Sequence, residues 1–302
     1  MSTPTAADAT EIGTASAAHT ISRLDAQIGD LTAQRDAAVA TATDAATHVL
    51  TTLPMAPLIA PATVAAPWMV ATRWDCPARG RFDQAESVGV LIGPRHVLTV
   101  AHFFDTTLPV PPAIQQNPDF TPFADRDRFI QVGAFTPGGG ERYEIVDVIT
   151  RSFDSTPTSI RPAEARNDIA IAVLDRPVPH APIRRATTSA VVGDRVSLLG
   201  ITPQISNARR LIQVDTCVID RAAGGIQLGA DEFCAANLPG PLQVGAGFSG
   251  GALVRPGEQG EDSELLGICS RGIGISPEVS PPVVIVDAVR AHGDVFGEAL
   301  QA

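Results

Sequence analysis

The chain has 302 residues, with 22 Lys and Arg against 33 Asp and Glu, a formal charge of −11 and a globular 44% hydrophobic content. A field of that sign repels polyanions and no basic stripe offsets it, which excludes nucleic acid as the primary ligand. There is no lysine, so Schiff-base, Ser-Lys and Walker-type phosphate chemistry are excluded as well.

The first 20 residues carry acids rather than basic residues and lack an apolar core, so no secretory signal is read there and a cytoplasmic location is expected. Ile21, Leu24, Ile28 and Leu31 then recur at steps of three and four, one stripe of a helix. Its register continues through Arg35, Ala38, Ala42, Ala45 and Val49, a seam too weak for a strong coiled coil. Residues 1–54 are therefore expected to form a helical extension, either folded back on its own domain or docking a partner or second copy around Ile21–Leu31. The uncharged stretch from Ala45 to Thr72 contains Pro54, Pro57, Pro61 and Pro67 and cannot be a continuous membrane helix, so no membrane span is expected.

From Pro61 onward short apolar runs alternate with Gly, Pro, Asn and Asp clusters. Strands are predicted at Trp68–Thr72, Ser87–Ile92, His96–Val100, Phe129–Val132, Ile169–Leu174, Arg195–Leu199, Leu211–Val218, Ala252–Val254 and Leu265–Ser270, with a closing helix over Val286–Leu300. The strand–helix alternation of a doubly wound sheet is missing. The expected class is all-β, two barrels, in a domain spanning 55–302 with halves near 55–178 and 179–302. Cys76, Cys217, Cys234 and Cys269 form no CxxC pair, which argues against zinc. Buried thiols and one or two disulfides both remain open, and no metal or cofactor is expected.

His102 closes the run Val97-Leu98-Thr99-Val100-Ala101-His102, Asp168 lies in Arg166-Asn167-Asp168-Ile169-Ala170-Ile171, and Ser249 lies in Gly247-Phe248-Ser249-Gly250-Gly251. Singly, each has an ordinary structural reading: a core histidine, a strand start, a glycine turn. Together they supply what nucleophilic catalysis by serine needs. A hydroxyl is a poor nucleophile until an imidazole takes its proton, and the imidazole needs a carboxylate to hold its tautomer. The glycines leave room for a tight turn whose Gly247 and Ser249 amides face a developing oxyanion.

With these motifs in place, the sequence from about Pro67 onward resembles the trypsin/chymotrypsin-like serine proteases. Pro67-Trp68-Met69-Val70-Ala71 is similar to the family's first strand, and Leu98–His102 to its Thr-Ala-Ala-His signature with Val100 in place of one alanine. Asn167–Ala170 resembles Asn-Asp-Ile-Ala, Phe233-Cys234-Ala235 resembles Phe-Cys-Ala, and 247–251 matches Gly-Asp-Ser-Gly-Gly except at Phe248. The resemblance implies two packed six-stranded barrels of the chymotrypsin type and a protein or peptide substrate. It also implies that Leu266-Gly267-Ile268-Cys269-Ser270 pairs with substrate backbone and puts Ser270 beside the catalytic aspartate. Phe103 and Gly245 stand where secreted members carry bridging cysteines. Phe248 replaces the aspartate that receives a freed amino terminus in zymogen-forming members, so activation by trimming is not expected.

The same resemblance puts Gln243 at the base of the primary pocket, where an aspartate selects Arg or Lys. Gly272 then leaves one wall open, and Pro281-Pro282-Val283 narrows the other. A small or medium uncharged residue before the scissile bond is expected. Three alternatives remain. Gly247-x-Ser249-x-Gly251 followed by Asp287 and His292 also satisfies an α/β-hydrolase esterase pattern. A catalytically silent adaptor would work through the amino-terminal helix. Gly138-Gly139-Gly140 as a phosphate loop yields to a hairpin turn, there being no lysine.

Overall fold

Apolar runs that alternate with polar side chains close on themselves twice along this chain. The computed structural model describes residues 59–61, 66–106, 116, 120–136, 138–150, 167–201, 211–220, 228–236, 247–257, 263–272 and 283–290, together with 23, 27, 29 and 30. Two units are distinguished, Met1–Thr52 and Leu53–Ala302. In the first, Arg23, Gln27, Gly29 and Asp30 are helical and exposed. The apolar stripe Ile21, Leu24, Ile28 and Leu31 lies outside the described residues.

The second unit opens with β1 (Ile59–Pro61) and then builds the first barrel. Its strands are β2 (Met69–Cys76), β3 (Arg81–Gly93), β4 (His96–Thr99), β5 (Asp127–Val132), β6 (Glu141–Thr150) and β7 (Ala170–Leu174). They close in the order β2-β3-β4-β7-β6-β5, all antiparallel. After β8 (Arg184–Arg185) come β9 (Arg195–Ile201), β10 (Leu211–Ile219), β11 (Glu232–Ala235), β12 (Ala252–Arg255), β13 (Glu264–Gly272) and β14 (Val283–Asp287). Their path β10-β11-β14-β13-β12-β9 is sealed by a seven-residue β9–β10 ladder, giving a second six-stranded ring. Although it precedes the first barrel in sequence, β1 pairs with β10 of the second.

Val70, Val90, Leu98, Ile130, Ile171 and Leu174 fill the first ring, and their cluster continues into Leu199, Ile201, Val254 and Ile268 of the second, so the barrels share apolar packing. A second cluster, including Val196, Leu198, Val214, Phe248, Leu253, Leu266 and Ile285, fills the second ring. The Arg73 side chain of β2 is fully buried; it pairs with Asp83 and donates to the carbonyl of Phe135 at 3.2 Å. All four cysteines are buried and none is in a disulfide.

The expected helix over Val286–Leu300 is corrected at its start. Val286 and Asp287 end β14, where the β-branched run Val283-Val284-Ile285-Val286 is buried between β11 and β13, and Ala288–Arg290 form a turn. Residues from 291 on, His292 included, lie outside the described residues. Two antiparallel barrels also overturn the α/β-hydrolase alternative, which requires a parallel sheet. Asp287, its would-be acid, caps the closing turn by accepting from the amides of Val289 and Arg290 at 2.9 and 3.1 Å. Gly138–Gly140 lie in the β5–β6 hairpin, Gly138 and Gly140 at φ of 68° and 70°, as a turn requires. Among the described residues, no helix is long and apolar enough to cross a membrane, and no cluster of His, Cys, Asp and Glu is fit to hold a metal ion.

Candidate active site

The site is assembled from three chain turns. β4 ends in a 3₁₀ turn, Ala101–Phe103, whose flanking Ala101 and Phe103 are buried while His102 retains 30% side-chain exposure. Asp168 enters β7 behind Asn167, a residue at φ 56°. Asparagine tolerates this left-handed conformation better than other non-glycine residues, and the Ile169 amide closes the kink on the Asn167 carbonyl at 2.7 Å. The kink turns the Asp168 carboxylate inward, to 1% exposure.

Asp168 and His102 are doubly joined. Oδ2 lies 2.8 Å from Nδ1 of the ring, and Oδ1 accepts the His102 backbone amide at 2.9 Å. The Ser270 hydroxyl donates to the same Oδ2 at 2.5 Å, as the sequence implied. Burial raises the Asp168 pKa, but the His102 charge and these hydrogen bonds outweigh it and hold the carboxyl below the usual range. For His102, burial opposes the charged form, yet the Asp168 charge and hydrogen bond, followed by Glu86, push the imidazole above its ordinary value. An ionised, acceptor-only carboxylate fixes the proton on Nδ1 and leaves Nε2 as the basic atom.

The Gly247–Gly251 turn is wedged between the barrels. The Ser249 carbonyl accepts from the Val88 amide of β3 at 3.1 Å and from the Ser87 hydroxyl, while the Gly250 amide donates to Cys269 of β13 at 2.8 Å. Gly250, at φ 75°, lies so close that a Cβ would overlap the Val88 carbonyl and press on Thr99 Oγ1. That threonine, three residues before His102, itself bonds the Val88 carbonyl at 2.9 Å. The serine turn and the histidine segment therefore rest on one carbonyl. Gly247 is buried at φ 104°, and its carbonyl accepts from Ile201 at 3.3 Å. Phe248, 1% exposed, has its ring against Gly200, where a Cβ would collide with it.

Of the substrate-contact candidates, Ser270 and Gly272 lie on β13 and Gln243 lies outside the described residues, as do Pro281 and Pro282. β12 accompanies β13 only from Glu264 to Ile268, so among the described pairings Ser270–Gly272 have a strand partner on the β14 side alone.

A family model described as Trypsin matches residues 60–287, three quarters of the chain. The chain belongs to the trypsin family and is a serine protease. This trypsin-family chain is also similar in fold to the solved structure of neuropsin, a serine protease expressed in the limbic system of mouse brain. The TM-score is 0.55 at 18% identity, over 78% of this chain and 95% of that one. No curated protein sequence matches.

Three charged residues beside the candidate site escaped the sequence reading. Glu86, half-buried on β3, bonds Arg126 at 2.5 Å and acts electrostatically on His102. Arg271 and Glu232 form a buried pair next to Ser270. The signals were a charge set inside an apolar run, at Cys269-Ser270-Arg271, and one just before Phe233-Cys234-Ala235.

Proposed function

We propose that the protein is an endopeptidase working through His102, Asp168 and Ser249. The observation that carries this reading is the buried Asp168 carboxylate, bonded to both the ring and the backbone of His102, with the Ser249 turn pinned beside the histidine segment. Nε2 of His102 takes the Ser249 hydroxyl proton as Oγ attacks the scissile carbonyl, and the charge that develops on oxygen faces the Gly247 and Ser249 amides. Collapse of the adduct breaks the C–N bond, and His102 returns the proton to the leaving amine. Water repeats the cycle on the acyl-enzyme.

The side of Ser270–Gly272 that no described strand pairs with offers amides and carbonyls to an extended substrate, and Gln243 supplies no charge for a cation. A lysine or arginine side chain would be desolvated there without a counter-charge, so small or medium uncharged residues are favoured before the scissile bond.

Fluorophosphonate labelling and peptide-library cleavage test the proposal. Ser249→Ala and His102→Ala each lower turnover on the order of 10⁴-fold or more. Near-normal proteolysis by Ser249→Ala refutes the nucleophile. A strong Arg or Lys preference refutes the specificity.

A further inference from the structure

Beyond the hydrogen bond to Asp168, Ser270 has a second charged neighbour. Arg271 and Glu232 are each 3% exposed, and Glu232 accepts from Nη1 at 2.7 Å and from Nη2 at 3.0 Å, a two-point clamp. Glu232 also accepts the Gly229 amide at 2.8 Å, and its strand β11 is separated from β13 by β14 alone. Nη1 lies in addition 3.2 Å from Ser270 Oγ. Consecutive residues of a regular strand point to opposite faces, but the β13–β14 register shifts between Cys269 and Arg271, which lets the two side chains meet. A buried ion pair is a weak stability device, since an apolar pair of equal volume serves as well.

We propose that Arg271, clamped by Glu232, is a positioning residue for the Asp168–His102 pair and acts through the Ser270 hydroxyl; this rests on the triad reading above. The hydroxyl has one proton and two lone pairs. Arg271 only donates, so it fills a lone pair and offers no competing acceptor, and the proton stays directed at Asp168 Oδ2. The chain Glu232–Arg271–Ser270–Asp168–His102 thereby ties ring orientation to the second barrel. Among the described residues, the charged and titratable groups that act on His102 and Asp168 are Glu86 from β3 and Arg271 with the Cys269 thiol from β13. Arg271 opposes protonation of His102, while Glu86 favours it.

The test is the rate of fluorophosphonate labelling at Ser249 across pH, in the full chain. Arg271→Met combined with Glu232→Leu removes both charges. It should lower the high-pH plateau about tenfold, the size of one hydrogen bond to a charged group, and move the acid limb to higher pH. In a Ser270→Ala background the same replacement should change the plateau by less than about twofold, because the path is already cut. Arg271→Lys should keep the acid limb in place while lowering the plateau, and it carries the same cycle if the double replacement does not fold. Equal losses in both backgrounds, or no loss in either, overturn the proposal. Ser249→Ala and His102→Ala run alongside: persistent labelling there refutes the triad, whereas abolished labelling with an additive cycle refutes only the role of Arg271.

Discussion

Burial by itself keeps the His102 imidazole neutral, and the neighbouring carboxylates reverse that preference. On the proposed mechanism the ring must be neutral to accept the Ser249 proton, so activity should rise with pH through a midpoint above the ordinary imidazole range. Glu86→Gln removes one charge that favours the imidazolium, so kcat/KM profiles should show the midpoint moving to lower pH. An unmoved midpoint refutes the electrostatic link. The same shifts govern stability. The Asp168 contribution disappears as pH falls through its depressed pKa, and that of His102 as pH rises through its raised one, so the pair stabilises most between them. Asn167 belongs to this scale too. With φ at 56°, Asn167→Val should cost about 1–2 kcal/mol more than Asn167→Gly, which denaturant unfolding of both variants checks.

Among the elements, the Gly247–Gly251 turn is the least forgiving. Gly250→Ala collides with the Val88 carbonyl at a positive φ, and labelling at Ser249 should be lost while circular dichroism still reports strands. Phe248→Ala opens a cavity under the turn and should cost about 3–5 kcal/mol in denaturant unfolding. A negligible loss would show that the ring does not hold the turn. The strands legible in the sequence were the apolar ones. β4 and β7 are short, buried runs found nearly to the residue. By contrast β6 exposes Glu141, Arg142, Glu144 and Asp147 and buries Tyr143, so it reads as a charged loop. Likewise the last two residues of β14, Val286 and Asp287, read as the start of a helix, since a run of four β-branched residues has no period of its own. His102, Asp168 and Ser249 were legible because each sits in a local motif. Glu86, Arg271 and Glu232 were not, because what matters is their spacing in three dimensions, across β3, β13 and β11.

At the scale of the whole molecule, Met1–Thr52 and Leu53–Ala302 are separate units, and β1 begins seven residues beyond the boundary. Deleting residues 1–50 should therefore leave labelling at Ser249 intact while changing regulation or self-association, read by activity and sedimentation. Unchanged values for both remove any regulatory role, and loss of labelling shows that the extension helps assemble the site. Phe248 occupies the second core instead of an ion pair with a freed amino terminus, so processing near residue 55 should not raise activity. The bond from Ser87 to the Ser249 carbonyl spans 162 residues of chain. During synthesis His102 and Asp168 leave the ribosome well ahead of the serine, and a contact of such sequence separation forms late. On the proposed mechanism the nascent polypeptide has no proteolytic power until its second barrel has closed, a safeguard set by folding order alone.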